Sequence, residues 1–587
     1  GLAVKSARPA LPSRHMARFD RGALLEAQQA AVDEAVAEAE KLVLWPPEFT
    51  EFPPLREHRV LGELTPILES ELSIGEVHRG RALTATTISR PAARDSTITV
   101  IAEDESGAAF RAVLHYHPFG GSIAIAERQL PCGTCLCIKE PYLQESAQAN
   151  LAVCCAHPDN VTVGAPTRTE SVDLNQLLEE KRFSEALALA DSKLESGGDD
   201  AVHLMRADAM AGLGQFREAA RSLLSLRTAD SAERAKQMMQ WVKESEQGKY
   251  DFLSLHTANA GGSDNRFPCV SYRNPHAEVR RTPDKGNGMF ATQSLSAGEL
   301  VVGEKAECIL YSSELVGKPV VTAPSWSGDV GDALLSQILM QNISGQAGRL
   351  DLLLGMSRGT HEAPADGDAA PCVLLSQVVQ ANRHMASAPW EGPPRGTGLW
   401  PTASKLNHAC DANCSWHTVG DMFFIRCQRN IAAGEELTLS YINGTVSLDT
   451  RQEVLKSRHG FICGCGLCKE QDAGVASGKR QYEAVCRKIQ ACESKKKVDP
   501  HEALKLQTTA FETLEAPEYC SLHNAQLEHA MAACHRAFEL RKEDVLKKWM
   551  EAARCAFELH YGSHPGVFEL YAKERGMAQL FAQYSTK

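Results

Sequence analysis

The spacing of apolar and polar positions divides the chain into regions with different expected secondary structure. Residues 1–54 are expected to form a tail followed by an amphipathic helix over 22–44, which ends before Pro46. The polar face of that helix is mostly acidic, which favours packing against protein over binding to a membrane. Residues 55–165 contain short β-prone runs separated by turn residues, and this pattern predicts a small β-barrel-like domain.

A repeat lies in the next region, residues 168–247. Phe183 begins a Phe-Ser-Glu-Ala phrase, and 33 positions later Phe216 begins Phe-Arg-Glu-Ala. This offset is close to the period of tetratricopeptide helical hairpins, and the small residues before and at Gly212 suit a place where helices cross. The region is therefore expected to be a short helical array. It could dock a partner peptide in its groove or serve as a structural spacer, and the pattern favours neither.

Residues 272–445 mix strand-like and helix-like stretches, which is typical of an α+β domain, and they contain a Gly-, Pro- and Asp-rich insertion at about 311–370. The clearest apolar runs in this region are 373–385, which has helical spacing, and 422–427 and 437–441, which are strand-like. After residue 472 the spacing is helical to the end, which predicts a C-terminal helical domain over 473–587. Its expected helices are 479–493, 500–515, 520–540, 543–560 and 565–582.

Length and charge narrow the class of protein. A chain of 587 residues is too long for one hydrophobic core, so a multidomain α+β protein is expected. The formal net charge of −12 argues against direct binding of nucleic acid through bulk charge. No apolar run approaches the length that spans a bilayer, so no membrane partner is expected.

The cysteine content bears on the compartment. Nineteen cysteines are scattered through a long chain, unlike the dense pattern of a secreted disulfide scaffold, and this predicts an intracellular, reducing location in the cytoplasm or the nucleus. The first 19 residues are basic and weakly resemble an organelle transit peptide, although a disordered tail is the better interpretation. Organelle targeting therefore stays open.

A cluster of cysteines follows the last strand-like run. Cys463-x-Cys465-x-x-Cys468 places three thiolates on a tight glycine-containing turn, which suits one tetrahedral zinc ion. Either Cys410 or Cys414 could supply the fourth ligand. A closed four-sulfur site leaves no position for water or substrate, so the zinc is expected to be structural, and 446–472 is expected to be a zinc knuckle.

The helix that leads into this knuckle has recognisable end signals. Asp449 is placed to cap its N-terminus, with Gln452 three residues later, and Gly460 ends it. In the N-terminal region Cys132, Cys135 and other cysteines could also bind metal, but they lack a well-spaced second pair. Buried core cysteines are the favoured interpretation there.

Several motifs occur in a fixed order: the Gly-Asn-Gly turn at Gly286, the Asn-His-x-Cys motif at Asn407, Gly-Glu-Glu-Leu leading to Tyr441, and the three-cysteine tail. In this order they resemble the SET-domain protein lysine methyltransferases. The chain is most similar to the subgroup with a tetratricopeptide region and a split SET domain, related to the SET-and-MYND type. The resemblance implies a β-rich SET fold with a pseudoknot, closed on one side by a post-SET zinc knuckle.

The resemblance also implies roles for individual residues. Tyr441 corresponds to the catalytic tyrosine and Cys410 to the remote fourth zinc ligand, joining Cys463, Cys465 and Cys468. The implied cofactors are S-adenosyl-L-methionine and structural zinc, and the implied partner is a protein substrate, histone or non-histone. The expected contacts of the S-adenosylmethionine are Asn287, Asn382, Ser404, Asn407, His408 and Phe461.

The chain departs from the family pattern in two places. Ala409 replaces the usual serine of the Asn-His-Ser-Cys motif, and the insertion 311–370 contains no cysteine, so finger-mediated partner binding is not expected. The favoured function is a protein-lysine methyltransferase. The alternative is a catalytically weak scaffold whose helical repeats bind partner proteins, and a zinc hydrolase is disfavoured because four cysteines leave no open metal position.

Overall fold

The structure is a computed structural model, and its described residues cover most of the chain between residues 21 and 577. These residues are 21–38, 42–44, 64–94, 97–115, 126–127, 130–145, 151–155, 160–164, 173–179, 182–260, 264–282, 285–315, 320–322, 332, 335–336, 338–339, 347–359, 371–386, 395–442, 446–472, 477–495, 497–515, 523–575 and 577. They belong to two compact units. The first unit comprises 1–171, 318–355 and 363–376, and the second comprises 172–317, 356–362 and 377–587.

The first unit begins with helix α1 (Arg21–Glu38), which packs on a β-sheet. Gln28 on this helix is buried and donates to the carbonyl oxygens of Arg90 at 3.1 Å and Thr99 at 2.8 Å. The predicted packing role of the helix is thus confirmed. Its predicted extent is wrong, because Leu42–Leu44 form strand β1, which pairs in parallel with strand β16 (Val320–Thr322).

One nine-stranded sheet forms the core of the first unit. Its strand order is β10-β7-β3-β5-β6-β9-β8, with β2 paired to β3 and β4 to β5. Alternate apolar residues such as Ile98, Val100 and Leu136 are fully buried on it, as strand periodicity requires. The strands are β2 (Thr65–Pro66), β3 (Arg81–Thr87), β4 (Ala92–Arg94), β5 (Thr97–Asp104), β6 (Ala109–His115), β7 (Cys135–Lys139), β8 (Tyr142–Glu145), β9 (Leu151–Cys155) and β10 (Val161–Val163).

The cysteines of this sheet differ in exposure. Cys154 and Cys155 are buried, as expected for core cysteines, and burial raises the pKa of Cys155. Cys132 and Cys135 are exposed, so the expectation of core positions is wrong for these two. Their place at the start of β7 leaves them on the surface.

The second unit begins with helical hairpins, as the repeat predicts. Helices α3 (Phe183–Glu195) and α4 (Asp200–Gly212) pair, and so do α5 (Phe216–Ser225) and α6 (Ala229–Gln247). A Cβ atom at Gly212 would overlap the ring of Phe183, so the small residue is needed where the helices cross. The two further helices of this region are α2 (Leu174–Glu179) and α7 (Phe252–Ala260).

Three small sheets follow. Their strand orders are β11-β14-β21-β20, β12-β13-β22-β19 and β15-β18-β17. Asn407–His408 forms β19, which lies parallel to β22 (Glu436–Leu439), whereas β13 lies antiparallel on the other side of β22. The other strands are β11 (Tyr272–Arg273), β12 (Ala277–Thr282), β13 (Gly286–Ala291), β14 (Leu300–Lys305), β15 (Cys308–Tyr311), β17 (Arg383–Ala386), β18 (Gly396–Leu399), β20 (Cys414–Val419) and β21 (Met422–Cys427). This mixed, β-rich arrangement confirms the expected fold class.

The insertion and the C-terminal region supply the remaining helices. The helix predicted over 373–385 ends at Asn382, and Arg383 begins β17. All five predicted C-terminal helices are present. Residues 578–582, at the end of the last predicted helix, lie outside the described part. The helices are α8 (Ala347–Leu354), α9 (Pro371–Asn382), α10 (Leu448–His459), α11 (Gly466–Asp472), α12 (Ser477–Glu493), α13 (Pro500–Thr513), α14 (His523–Glu539), α15 (Glu543–Tyr561) and α16 (Pro565–Glu574). Of the helices in the described part, none combines the length and the apolar character needed to cross a bilayer.

Candidate active site and thiol cluster

Parallel pairing of β19 with β22 brings the Asn-His motif beside the tyrosine. In this register His408 lies opposite Leu439, two residues before Tyr441. The backbone N–H of Tyr441 donates to Nδ1 of His408 at 3.0 Å, and its hydroxyl donates to the carbonyl oxygen of Leu406 at 2.7 Å. Both ends of the tyrosine are therefore held by the segment that carries the motif.

The tyrosine lies in a group of rings. The Tyr441 ring centroid is 5.2 Å from that of His408 and 5.0 Å from that of His459, and Phe461 packs 5.9 Å from His408. Tyr441 is 36% exposed, but its hydroxyl faces inward, and desolvation raises the pKa of Tyr441 to about 12. The phenol is therefore neutral at pH 7.

On the other side of the motif, the amide of Asn407 has a defined orientation. Its Nδ2 donates to Oε1 of Glu436 at 2.8 Å, and Oε2 of the same carboxylate pairs with Nζ of Lys285 at 2.9 Å. An ionised carboxylate only accepts hydrogen bonds, so the amide nitrogen must face Glu436 and the amide oxygen must face away. Asn407 therefore offers an acceptor to a ligand.

Gly288 permits this arrangement. A Cβ atom there would lie 2.8 Å from Oε1 of Glu436 and 2.9 Å from Nδ2 of Asn407, so a side chain would displace both groups. The neighbouring Asn287 is exposed on β13. The Gly-Asn-Gly segment, predicted as a turn, is thus the start of strand β13, where Asn287 lies opposite Arg281. No described hydrogen bond joins Asn287 to Asn407.

A second pair of predicted residues meets at the end of α9. Ser404 Oγ donates to the carbonyl oxygen of Trp400 at 2.9 Å and approaches that of Asn382 at 3.4 Å. The side-chain amide of Asn382 donates to the carbonyl oxygens of Ser357 and Val378 at 2.7 and 2.8 Å. Its Nδ2 is thereby occupied within the protein.

Buried Glu304 fixes the turn that carries Ser404. Its carboxylate oxygens accept the backbone N–H groups of Thr402 and Ala403, each at 2.8 Å. This is a charge-assisted cap on the short 3₁₀ turn Ala403–Lys405 that leads into Leu406 and Asn407. The sequence pattern did not identify Glu304, because 98 positions separate it from the first N–H that it binds.

Four cysteine sulfurs lie close together next to His408. The Sγ atoms of Cys410, Cys463, Cys465 and Cys468 all lie within 4.8 Å of one another, and in the described part of the chain this is the one such group of metal-binding side chains. Cys410 Sγ is 3.9 Å from that of Cys463 and 3.5 Å from that of Cys468. Zinc bonded at ~2.3 Å to four sulfurs in a tetrahedron requires them ~3.8 Å apart, so the residues fit a zinc ion.

The four thiols interact closely through hydrogen bonds within the cluster. These bonds, chiefly those with Cys410, lower the pKa of Cys463, Cys465 and Cys468, whereas the pKa of Cys410 is raised. A divalent cation that binds the four sulfurs would displace the remaining protons.

The choice between Cys410 and Cys414 is settled by strand geometry. Cys414 begins β20 and lies directly opposite Cys427 on β21, where both are buried. Cys410 lies before β20, in the turn after β19, and reaches the cluster. Cys410 is thus the cysteine that completes the group.

The helix before the knuckle is capped differently from the prediction. Ser447 Oγ accepts the N–H of Thr450, so Ser447 and not Asp449 caps α10, and Gly460 ends it with a φ of 76° as expected. Gln452 instead binds the backbone of Cys463 twice, with its Nε2 donating to the carbonyl oxygen and its Oε1 accepting the N–H, both at 2.8 Å. The amide therefore fixes the first cysteine of the knuckle.

Comparison with known proteins agrees with this geometry. Residues 286–442 match the family model described as SET domain. This range includes Asn407, Glu436 and Tyr441. The chain contains a SET domain over this range. A protein of Gibberella zeae named methyltransferase is 24% identical over 513 residues, which is 70% of this chain and 69% of that protein.

Relatives with higher identity match over shorter stretches. The histone-lysine N-methyltransferase SMYD3 of Mus musculus is 38% identical over 106 residues, 18% of this chain and 24% of that protein. The protein-lysine N-methyltransferase SMYD4 of Mus musculus is 34% identical over 94 residues, 16% of this chain and 12% of that protein. The chain is thus homologous to SMYD-type SET methyltransferases, and its SET domain supports a methyltransferase. These two alignments span a quarter or less of the relatives' own length.

Proposed function

We propose that this protein transfers a methyl group from S-adenosylmethionine to the ε-amine of a lysine in a protein substrate. The observation that carries the proposal is the pairing of β19 with β22, which holds Tyr441 at both its N–H and its hydroxyl beside the oriented amide of Asn407. Relatives named histone-lysine and protein-lysine N-methyltransferases support the same reaction class.

The reaction needs alignment more than a strong base. Bound S-adenosylmethionine supplies a methyl group on a sulfonium: the lysine nitrogen lone pair forms the new N–C bond while the S–C bond electrons return to sulfur. Before that, the ammonium must lose a proton to water. From a reference pKa near 10.4, this costs about 4–5 kcal/mol at pH 7, and an apolar channel beside a cation lowers the cost.

Tyr441 can orient the amine without acting as a base. Its raised pKa keeps the phenol neutral, and its proton is used in the hydrogen bond to Leu406. The lone pairs of the hydroxyl oxygen remain available to accept a hydrogen bond from the substrate nitrogen. Alignment of this kind can supply several kcal/mol of the barrier reduction.

The residues around Asn407 suit the amino-acid end of the cofactor. The outward-facing amide oxygen of Asn407 can accept from an ammonium group, and exposed Asn287 lies on β13, which is on the other side of β22 from Asn407. Asn382 and Ser404 would contribute from the place where Ser404 Oγ approaches the carbonyl oxygen of Asn382, and the half-buried ring of Phe461 would cover the adenine. Both ring nitrogens of His408 are engaged within the protein, so His408 would meet the cofactor through its backbone.

The four cysteines would hold zinc in a structural role. With four sulfur ligands the metal has no open position, so it would take no part in methyl transfer. Its contribution would be to fix Phe461 and the following turn against the turn at Cys410.

The test is cofactor binding followed by methyl transfer. Wild-type protein and Tyr441→Phe are incubated with labelled S-adenosylmethionine and a protein or peptide array, and methylated lysines are identified by mass spectrometry. We expect Tyr441→Phe to bind the cofactor as wild type does and to lose about 10²–10³ in turnover. Tyr482→Phe, which removes a hydroxyl bonded to His529 in the C-terminal helices, is the matched control and keeps full turnover.

The rival proposal, a catalytically weak scaffold, predicts a different outcome. A scaffold would take up no S-adenosylmethionine even at millimolar concentration, and it would methylate nothing on the array. The presence together of Tyr441, Asn407 and His408 in one hydrogen-bonded group favours the enzyme.

A further inference from the structure

His408 contacts both the thiol cluster and the tyrosine. Its Nδ1 lies 3.0 Å from the backbone nitrogen of Tyr441, and its Nε2 lies 3.2 Å from Sγ of Cys410. The residue is 8% exposed, and the rings of Tyr441 and Phe461 pack near its own. The imidazole is therefore confined between the two groups.

The two contacts determine the tautomer. A backbone N–H can only donate, so Nδ1 of His408 must be an acceptor without a proton. In a neutral imidazole the proton then lies on Nε2, which faces Cys410 and donates to its sulfur. A zinc-bound thiolate is a good acceptor for such a bond, whereas a protonated thiol is a weak one.

We propose that His408 is a positioning residue that couples metal binding at the four cysteines to the position of Tyr441. A metal ion bound to the four sulfurs holds Cys410 in place, the contact between Nε2 of His408 and Sγ of Cys410 fixes the ring, and Nδ1 of the ring fixes the backbone N–H of Tyr441. Without metal, Cys410 is free to shift, and the support that His408 gives to Tyr441 is weakened. The catalytic consequence rests on the function proposed for Tyr441, but the mechanical link does not.

The spacing of the residues explains why this link exists in the fold. His408 lies in β19, and Cys410 follows two residues later in the turn, so one short segment carries both the link and the metal ligand. Tyr441 follows β22, which pairs with β19. Any shift of Cys410 on metal loss is thereby transmitted directly to the strand pair that ends at the tyrosine.

Two variants of His408 each keep one of its two hydrogen bonds and remove the other. In His408→Asn the amide oxygen can replace Nδ1 and still accept from Tyr441, but the donor to Cys410 is lost. In His408→Gln the amide nitrogen can replace Nε2 and donate to Cys410, but the acceptor for Tyr441 is lost. The ring of His459 also contacts Tyr441, and His459→Asn is the control because its described contacts include none of the four cysteines.

Two measurements read the link without methyl transfer. The first is the rate of zinc release to a chromophoric chelator from the zinc-loaded full chain. The second is hydrogen–deuterium exchange at the Tyr441 amide. We expect His408→Asn to release zinc about 10–100-fold faster than wild type, as loss of an outer contact of a metal ligand commonly does. His408→Gln should release zinc within about threefold of wild type yet exchange the Tyr441 amide about tenfold faster.

The wild-type chain provides a test that needs no variant. Removal of zinc by chelator should accelerate exchange at the Tyr441 amide, and restoring zinc should reverse it. The proposal would be overturned if His408→Asn released zinc at the wild-type rate. It would also be overturned if neither zinc removal nor His408→Gln changed the exchange rate of the Tyr441 amide. If the exchange and release results hold while the wild-type protein binds no S-adenosylmethionine and methylates no lysine, the link stands and the proposed function fails.

Discussion

Arg451 donates a hydrogen bond from Nε to Sγ of Cys410 at 3.2 Å, although 41 positions separate the two residues. The same guanidinium reaches Sγ of Cys468 at 3.6 Å from Nη2, and Arg451 is fully buried. Four thiolates around one divalent ion carry a net charge of about −2, and burying that charge is costly unless a cation is near. Arg451 supplies this cation from helix α10.

Removal of this charge should weaken metal binding. We expect Arg451→Met to lower zinc affinity by about 10–100-fold, because the thiolates lose two N–H donors and their counter-charge. Arg451→Lys should recover only part of the loss, since a single ammonium lacks the planar fork that reaches two sulfurs. Chelator competition on the purified chain measures both effects.

Arg458→Met is the matched control, because Arg458 lies on the same helix and is exposed. It should bind zinc as wild type does. Unchanged zinc affinity in Arg451→Met would contradict the role assigned to the buried guanidinium.

Loss of a cysteine ligand should release the metal. Cys465→Ser leaves three thiolates, so we expect zinc content to fall from about one ion per chain to well below half, with a lower melting temperature. Cys555→Ser changes an exposed cysteine on α15 and should retain the metal. Metal analysis after dialysis against a weak chelator decides the matter, and full zinc content in Cys465→Ser would show that the cluster is not the site.

Glu436 should influence cofactor binding through Asn407. A glutamine at 436 could offer its own amide N–H to Asn407, so the amide of Asn407 would no longer be forced to face its oxygen outward. The lost charge-assisted bond is worth about 1.5–3 kcal/mol, and we expect Glu436→Gln to weaken S-adenosylmethionine binding by about tenfold or more in calorimetric titration.

The adjacent Glu435 provides the control for this change. Its carboxylate accepts from Asn413, from Arg429 and from the N–H of Ala432, and its described hydrogen bonds do not include Asn407. Glu435→Gln should lower the melting temperature and leave cofactor affinity unchanged. Equal cofactor affinities in the two variants would contradict the orienting role of Glu436.

Buried histidines should make the second unit sensitive to acid. Burial, with smaller contributions from Arg426 and His564, lowers the pKa of His256 to about 3. The unfolded chain binds a proton at this residue below about pH 6.5, whereas the folded chain does not, so stability is full above pH 6.5 and is lost as the pH falls toward 3. The slope reaches about 1.4 kcal/mol per pH unit for this one group.

His256→Phe should flatten this acid limb, because phenylalanine keeps a ring in contact with His417 and Tyr561 but binds no proton. The measurement is the denaturant midpoint between pH 7 and pH 4. His501→Phe, at an exposed position on α13, is the control and should leave the slope unchanged. A slope in His256→Phe equal to that of wild type would contradict the prediction.

The local spacing of residues was sufficient to predict the helices and strands that bury one face. The C-terminal helices follow the 3.6-residue period closely, and the three-cysteine turn carries its ligand spacing in six consecutive residues, Cys463 to Cys468. The strand Met422–Cys427 was identified with its bounds correct. In each of these cases the signal and the structure depend on the same few neighbouring residues.

The predicted ends of helices were wrong where the same apolar pattern fits both a helix and a strand. The end of the N-terminal helix at Glu38 and the change to strand at Arg383 both depend on pairing with distant strands, β16 for the first and β18 for the second. The N-cap at Ser447 was missed because Asp449 is an equally good capping residue by type, and Gln452 was already bound to Cys463.

The sequence by itself determined the order of the motifs, the thiol-rich turn and the residue types of the site, because these depend on composition and short spacing. Tertiary structure decided which cysteine completes the cluster, which atom of Asn407 faces outward, and that His408 joins Cys410 to Tyr441. The contacts of Arg451 with the thiol cluster and of Glu304 with the turn at Ser404 were also apparent only from the tertiary structure. The physical reason is that hydrogen bonds and ion clusters act over about 3 to 4 Å in space, whatever the separation along the chain.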